Sequence, residues 1–392
     1  MAALTHEVEV RVGEARARLT AVDEVAITHD LLQAGSVATL ALWRQPGEAP
    51  WPETELYRQA KIYAPVEVLV DGAVQVRGVV EKARCGADRG GASLVISYRD
   101  LACAAMVAEA PPWLSLRDVT LEEALRRLLA PLDLPLVVGA SADDARRVLA
   151  GMRPGARAPS GRRSRRRHHV DRFRVQPGTK VWALCEQLCR RHGYLLYTAP
   201  FEGGVGLVID RPNYDAPVRH RLTRRRVSDS PEGYEGNVVS AARDTDGTRV
   251  PSDATVFGHT GASSSSDARV KVTVVNGGLD HPLVAGDRYP LPRYIRDRRA
   301  RSPQVAEQRG RREIARSMGD FDVYTATVRG FSFDGLVWAV NTMVRVEDDL
   351  EGVDGDWLVT RVEFSQNRQT GPVTNLRLVP KGSLVVEPDE EV

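Results

Sequence analysis

Long apolar runs are missing from this 392-residue chain. The longest, Leu101 to Ala108, is too short to cross a bilayer, so no membrane insertion by this chain is expected. The start, Met1 to Glu7, has neither a basic cluster nor an apolar stretch, and no secretory signal is expected. The reading is a protein made and folded in a cytosol. Cysteine is scarce: Cys85, Cys103, Cys185 and Cys189 are all there is, which argues against a secreted disulfide scaffold. Aromatics reach only 6%, less than a sugar-binding groove or a stacking platform for single-stranded nucleic acid usually needs.

Catalytic signatures are lacking too. Gly155 and Gly161 flank a basic stretch, but no Gly-Lys-Ser/Thr follows. Gly203, Gly204 and Gly206 read as a hairpin turn, not as a strand-to-helix phosphate cradle. Neither a Gly-x-Ser-x-Gly elbow nor a His-Glu-x-x-His pair occurs. The 52 acids include no pair in a distinctive setting. The expectation is a protein that is not an enzyme and needs no cofactor.

What is present is globular. Hydrophobic residues make up 42% and charged residues 27%, enough for a normal core in two to four domains. The net charge of +2 hides an uneven distribution. Arg153 to Arg174 contains nine arginines against one acid, Asp171, and is broken by Gly, Pro and Ser. It reads as a loop insertion. Arg162, Arg163, Arg165, Arg166, Arg167, Arg172 and Arg174 are its candidate contact residues for an acidic partner or a nucleic acid, since counterion release would drive such binding. A solvated insertion is the simpler reading, and no DNA-reading element accompanies it. Further basic groups lie at Arg219 to Arg221, Arg224 to Arg226 and Arg296 to Arg301, and Glu387 to Glu391 form an acidic tail.

Two metal readings arise and neither is preferred. Cys185, Cys189 and His192 fall at i, i+4 and i+7 on one helix, a soft-metal set lacking a fourth ligand. The same face carries Val181, Leu184 and Leu188, so buried core cysteines are the better reading. His168 and His169 sit amid arginines that would repel a cation. Asp244 to Gly247 and Asp348 to Asp356 resemble calcium loops only loosely, because an EF-hand opening at Asp244 would need Glu where Thr255 stands. Hairpin turns explain both. No metal site is expected.

Most of the chain alternates with period two, the signature of strands. Val8 to Val12, Val66 to Val70, Val74 to Val80 and Ser93 to Ser97 form an antiparallel meander, with Asp71-Gly72 as a hairpin turn. The middle turns helical. Thr120-Leu121-Glu122-Glu123 is a capping box opening a helix that Pro131 ends, and a second helix runs from about Thr179 to His192. A hairpin follows between Tyr194 and Ile209. The last third returns to strands, after a helix that starts at Ser302-Pro303 and ends near Met318. The expected domains are 1–110, a first tube-like β-barrel; 111–215, a small α+β domain with the basic loop at 151–174; and 216–392, a second tube-like barrel with a connecting helix near 303–318. Val66 to Leu101 and Met343 to Leu378 read alike over equal spans, with Asp354-Gly355 as the second turn, Val362 answering Val80, and loops at Gly86 to Gly91 and Asn367 to Gly371. The fold class is therefore mainly β with α+β insertions, its two antiparallel barrels related by internal duplication.

The succession of segments resembles a known family. Val66 to Val80 with its Asp-Gly turn, Ser93 to Leu101 closing in Arg99-Asp100, and Gln176-Pro177-Gly178 leading through a helix to His192-Gly193-Tyr194 stand in the order that family uses. Trp357 to Phe364 and Thr374 to Pro380 resemble its C-terminal strand pair. The chain is similar to baseplate hub proteins of contractile phage tails, the Mu-type tail hubs and the late control protein D family. The arginine insertion and the region from Arg288 to Arg312 depart from the family's minimal pattern. The resemblance implies a virion structural protein of the tail baseplate, a homotrimer of duplicated barrels that joins a trimeric spike to a hexameric tail tube. Implied partners are further copies of itself, the spike, the tube or a tube initiator, the baseplate wedge and the tape-measure protein. The competing readings are a nucleic-acid-binding protein working through the arginine loop and a tail-associated cell-wall hydrolase.

Overall fold

The computed structural model describes residues 6–13, 17–19, 22–45, 48, 51, 54–139, 169–191, 194–201, 204–228, 233–259, 269–276, 291–297, 300, 302–319 and 321–384. Twelve strands build its framework. The first six are β1 (Val8–Val12), β2 (Glu24–Asp30), β3 (Val37–Arg44), β4 (Pro65–Val70), β5 (Ala73–Asp88) and β6 (Gly91–Asp100). The second six are β7 (His220–Arg226), β8 (Val238–Thr245), β9 (Asp322–Arg329), β10 (Met343–Asp348), β11 (Val353–Asn367) and β12 (Gly371–Pro380). Within the first set the hydrogen-bonded order is β2-β3-β6-β5-β4-β1. Within the second it is β8-β9-β12-β11-β10-β7, the same order with each strand six places on.

The likeness reaches single residues. β5 carries a bulge opposite β6 between Val80 and Lys82, and β11 carries one opposite β12 between Val359 and Arg361. Beyond each bulge seven residues pair up to the hairpin, Lys82–Asp88 in one copy and Arg361–Asn367 in the other. A bulge bends a strand and raises its local twist, so matching bulges curl both sheets at the same place.

Four sequence expectations need correcting. Val80 is answered by Val359, not Val362, and the first hairpin loop is shorter than Gly86 to Gly91, because Gly86, Ala87 and Asp88 still pair within β5. Asp354 and Gly355 are not a turn: they lie inside β11 opposite Glu347 and Val346. The turn comes earlier, because Asp348 Oδ1 accepts the N–H groups of Leu350 and Glu351 at 2.9 and 3.1 Å and Gly352 takes φ +64°. An Asp-Gly pair permits a tight turn but does not compel one. Asp244 to Gly247 is no hairpin turn either. Asp244 and Thr245 end β8, and Asp246 caps a short 3₁₀ turn that begins an insertion. A further departure concerns β7, which runs parallel to β10, whereas β1 runs antiparallel to β4.

The insertion lies between β8 and β9, where the first copy has only Leu31–Ser36. Strand Asp253–His259 is flanked by Arg269–Val275 and Pro292–Arg296. A long helix packs on them, for which Ser302 Oγ accepts the Val305 N–H at 3.3 Å and Pro303 fills the first helical position. Between β6 and β7 sits the α+β unit. It has helices α1 (Leu121–Leu129) and α2 (Val181–Arg191); the insertion's Pro303–Met318 is then α3. Its hairpin Leu195–Phe201 and Gly204–Asp210 takes Leu136–Val138 as a parallel third strand. Thr120 Oγ1 accepts the Glu123 N–H at 3.2 Å, but the Glu123 carboxylate turns to Arg127 at 2.7 Å, so only half of the capping box forms.

The two copies are one continuous sheet. β11 outruns its own barrel, and its far half pairs with β2 from Arg361 opposite Asp30 to Gln366 opposite Val25. Aromatic rings pin this joint. Phe364 meets Phe331 edge to face at 5.8 Å and the His29 ring at 6.1 Å, and Phe331 meets His6 at 5.7 Å. His6 Nδ1 lies 2.9 Å from Asp71 Oδ2, to which Ser332 Oγ also donates at 2.9 Å. Gly330 makes room for this clasp: its φ is +80°, and a Cβ there would stand 2.2 Å from His6 Nε2.

Two outcomes follow from the joint. Phe364 is fully buried, so Phe364→Ala should lower unfolding free energy by about 3–5 kcal/mol in chemical denaturation, as large-to-small core changes do. His29 is buried with Nδ1 2.8 Å from Ser36 Oγ, and burial lowers its pKa from 6.5 to about 4. The unfolded chain then binds a proton that the folded chain refuses between those values. Stability should fall as pH drops from about 6.5 to about 4, by on the order of 3 kcal/mol from this residue, and level off below. His29→Gln should flatten that dependence in denaturation curves across the same window.

Candidate assembly interface

Eight strands form one wall, β8-β9-β12-β11-β2-β3-β6-β5. Two edges end it. β8 pairs with β9 and with no other strand among the described residues. The far half of β5, Lys82–Asp88, pairs with β6 on one edge and leaves the other open among the described residues. These strand edges are exposed, in contrast to the far half of β11, where Val362 and Phe364 are fully buried. An open edge offers a row of backbone donors and acceptors, which folded proteins pair, cover or charge. Here the charges are Lys82, Arg84 and Asp88 on β5 and Arg243 and Asp244 on β8, with Arg243 paired to Asp322 at 2.8 Å.

A groove of about 580 Å³ runs along the wall beside β8. Arg361 and Glu363 line it as an ion pair at 3.1 Å, and Thr327 Oγ1 donates to Asn375 Oδ1 at 2.8 Å across it. Such a floor presents satisfied hydrogen-bonding groups rather than a reactive side chain.

The wall is held to the α+β unit by buried polar contacts. Asn341, in the left-handed region at φ +59°, donates from Nδ2 to the Arg211 carbonyl at 2.9 Å, Asp210 Oδ2 at 3.2 Å and Tyr197 Oη at 3.3 Å. Its Oδ1 accepts the Asn213 N–H at 3.0 Å. Burial chiefly raises the Asp100 pKa, while Thr198 of the α+β unit and the Ser36 amide donate to that carboxylate and oppose the rise.

The basic clusters of the sequence fare differently from one another. Arg221 and Arg225 both hold Glu347, at 3.0 and 2.8 Å. Arg224, only 8% exposed, pairs with Asp348 at 3.0 Å and Glu351 at 3.1 Å. Burial alone would raise the Asp348 pKa, but the Tyr324 hydroxyl at 2.7 Å, Arg224 and two backbone amides outweigh it and hold the carboxyl below its ordinary value. This arginine run is therefore structural mortar. Arg162, Arg163, Arg165, Arg166, Arg167 and His168 lie outside the described residues. Arg172 and Arg174 fall on strand His169–Arg174, paired with Ser115–Thr120.

Cys185 and Cys189 are fully buried in the core of the α+β unit, and His192 lies outside the described residues. Burial pushes the Cys185 thiol up to about 12 and Cys189 well above its ordinary value, so both are protonated core side chains. Among the described residues no cluster of three or more His, Cys, Asp or Glu gathers to hold a metal ion. Ser332, Asp71 and His6 are the residue types of a hydrolytic triad in an unproductive order, since serine and histidine both bind the aspartate. Sequence reasoning missed the edge residues Lys82–Ala87 and Ala241–Asp246. The usable signal was the alternation that continues past Val80 into charged residues.

No protein-family model and no curated protein matches the sequence. Solved structures do match the fold. A 43 kDa tail protein of prophage MuSo2 from Shewanella oneidensis superposes with a TM-score of 0.74 at 18% identity, covering 97% of this chain and 100% of that one. A tail protein from Neisseria meningitidis MC58 gives 0.72 at 20% identity, covering 98% of each. An E. coli type VI secretion component, described as structurally similar to the T4 bacteriophage tail proteins gp27 and gp5, gives 0.52 at 8% identity, covering 97% of this chain and 79% of that one. The chain has the fold of these phage tail proteins: two like barrels sharing one wall, with a small α+β domain set between them.

Proposed function

We propose that this protein is a structural hub in the baseplate of a contractile phage tail or a phage-like injection particle. It works without catalysis, as a homotrimer. Each subunit supplies two similar wall segments, so three subunits offer six, and the threefold object gains near-sixfold geometry. One face then accepts a hexameric tail tube or its initiator, and the other seats a trimeric spike. Wedge proteins and the tape-measure protein are the remaining neighbours in such an assembly.

The observation that carries this reading is the repeat of six strands in one order, with the bulge at the same place in each copy. A catalytic protein has no need of two equivalent walls, whereas a symmetry adaptor does. The tail proteins it resembles in fold support the setting, as does the likeness to a type VI secretion component.

Light scattering on the purified chain at low and high salt tests the reading. The expected mass is three times the 43.1 kDa subunit at both, since edge pairing and apolar burial resist screening. Deleting residues 151–168 should leave that mass unchanged and should leave binding to a tail tube protein intact. Salt-sensitive DNA binding that vanishes with the same deletion would instead assign the loop to a nucleic acid.

A further inference from the structure

We infer that the subunits of the trimer join by pairing the outer edge of β8 in one copy with the outer edge of Lys82–Ala87 in β5 of the next, in the register that β2 and β11 use inside the chain. The inference deepens the hub reading and rests on it.

The internal joint supplies the template. β11 residues 361–366 pair with β2 residues 25–30. The bulges and hairpins match Lys82–Ala87 to Arg361–Gln366, residue for residue. The strands beside them match β8 to β2. Ile27 faces Ala38, which faces Tyr98; Arg243 faces Tyr324, which faces Leu378. Tyr98 and Leu378 hold the same place, seven residues after the glycine that opens each strand. Arg243 therefore stands where Ile27 stands.

Each half of the internal joint thus has a counterpart whose edge is open among the described residues. The two counterparts lie at opposite ends of the eight-strand wall, so one chain does not pair them with each other. A second copy does, and three copies close the ring with no edge left over, as a heterologous contact must if it is to close. Backbone pairing between open edges supplies the affinity.

Transferring the register sets Lys82 opposite Asp246, Ala83 opposite Thr245, Arg84 opposite Asp244 and Cys85 opposite Arg243. Gly86 then faces Ala242, and Ala87 faces Ala241. Two of these pairs are of opposite charge, and Lys82 with Asp246 repeats Arg361 with Asp30 of the internal joint. Lys82, Arg84 and Asp244 are exposed and form no ion pair among the described residues. A register slipped by one residue would set Arg84 beside Arg243 or Thr245 and lose the match, which is how facing charges specify alignment.

Charge reversal tests the joint in the full-length chain. Arg84→Glu and Asp244→Lys should each weaken the trimer at least tenfold in concentration-dependent light scattering, because like charges then face each other. Circular dichroism should stay unchanged, since both side chains are exposed. The double variant should return the trimer to near wild-type strength. Arg84→Cys with Asp244→Cys, on a Cys85→Ser background, should give disulfide-linked oligomers on mild oxidation, since directly opposed strand residues stand within disulfide reach. A wild-type trimer that neither reversal weakens and that the cysteine pair does not cross-link would overturn this joint and leave the hub reading standing. A wild type that is monomeric at every concentration would overturn both.

Discussion

Backbone hydrogen bonding along β11 is the constraint on which the rest of the molecule depends. The strand is longer than the barrel that contains its first half, and its far half needs a second neighbour. β2 supplies it, and two sheets that would otherwise be separate become one. A strand edge left open is a standing invitation to another strand, so a fold with an overlong strand must settle what pairs with it. In the second copy that is settled within the chain. In the first copy the equivalent stretch of β5 has no such partner among the described residues.

Burial follows from the joint. Phe364, Val362, Phe331 and Ile27 are all fully buried where the sheets merge, and the core of the two barrels is a single cluster. The polar contacts around it act as fasteners rather than as chemistry. The His6–Asp71–Ser332 clasp ties the start of the chain and the first hairpin turn to the second copy. Asn341 ties the second copy to the α+β unit through three acceptors. Each sits at a seam, where an unpaired buried polar group would be costly and a paired one fixes geometry.

Much of this was legible in the residues. Period-two alternation marked β1, β4, β5 and β6 but not β2, β3 or β7, Asp71-Gly72 marked one hairpin, and Ser302-Pro303 marked the start of α3. The duplication was visible as equal spans, and in the observed register Leu94, Ile96 and Tyr98 hold the places of Thr374, Leu376 and Leu378. The strand before them was misaligned by three residues. Alternation repeats every two residues and says nothing of bulges, which change the phase without changing composition. Asp354-Gly355 misled for a related reason. Turn chemistry is local, and Asp348, five residues before β11 begins, had already closed the turn with its carboxylate.

The sequence by itself determined a mainly β chain without a membrane-spanning run, a helical middle whose cysteines fill its core, and a repeated unit. These follow from side-chain periodicity and from which residues seek burial, and both are carried by neighbours along the chain. Which edges meet was decided only by the tertiary structure. Nothing in the residues of β2 names β11 as its partner, nor separates Arg224, buried against Asp348, from Arg84, left exposed at an open edge. Strand pairing between distant segments depends on how bulges curl each sheet and on where the chain re-enters, and that information exists only once the wall has formed.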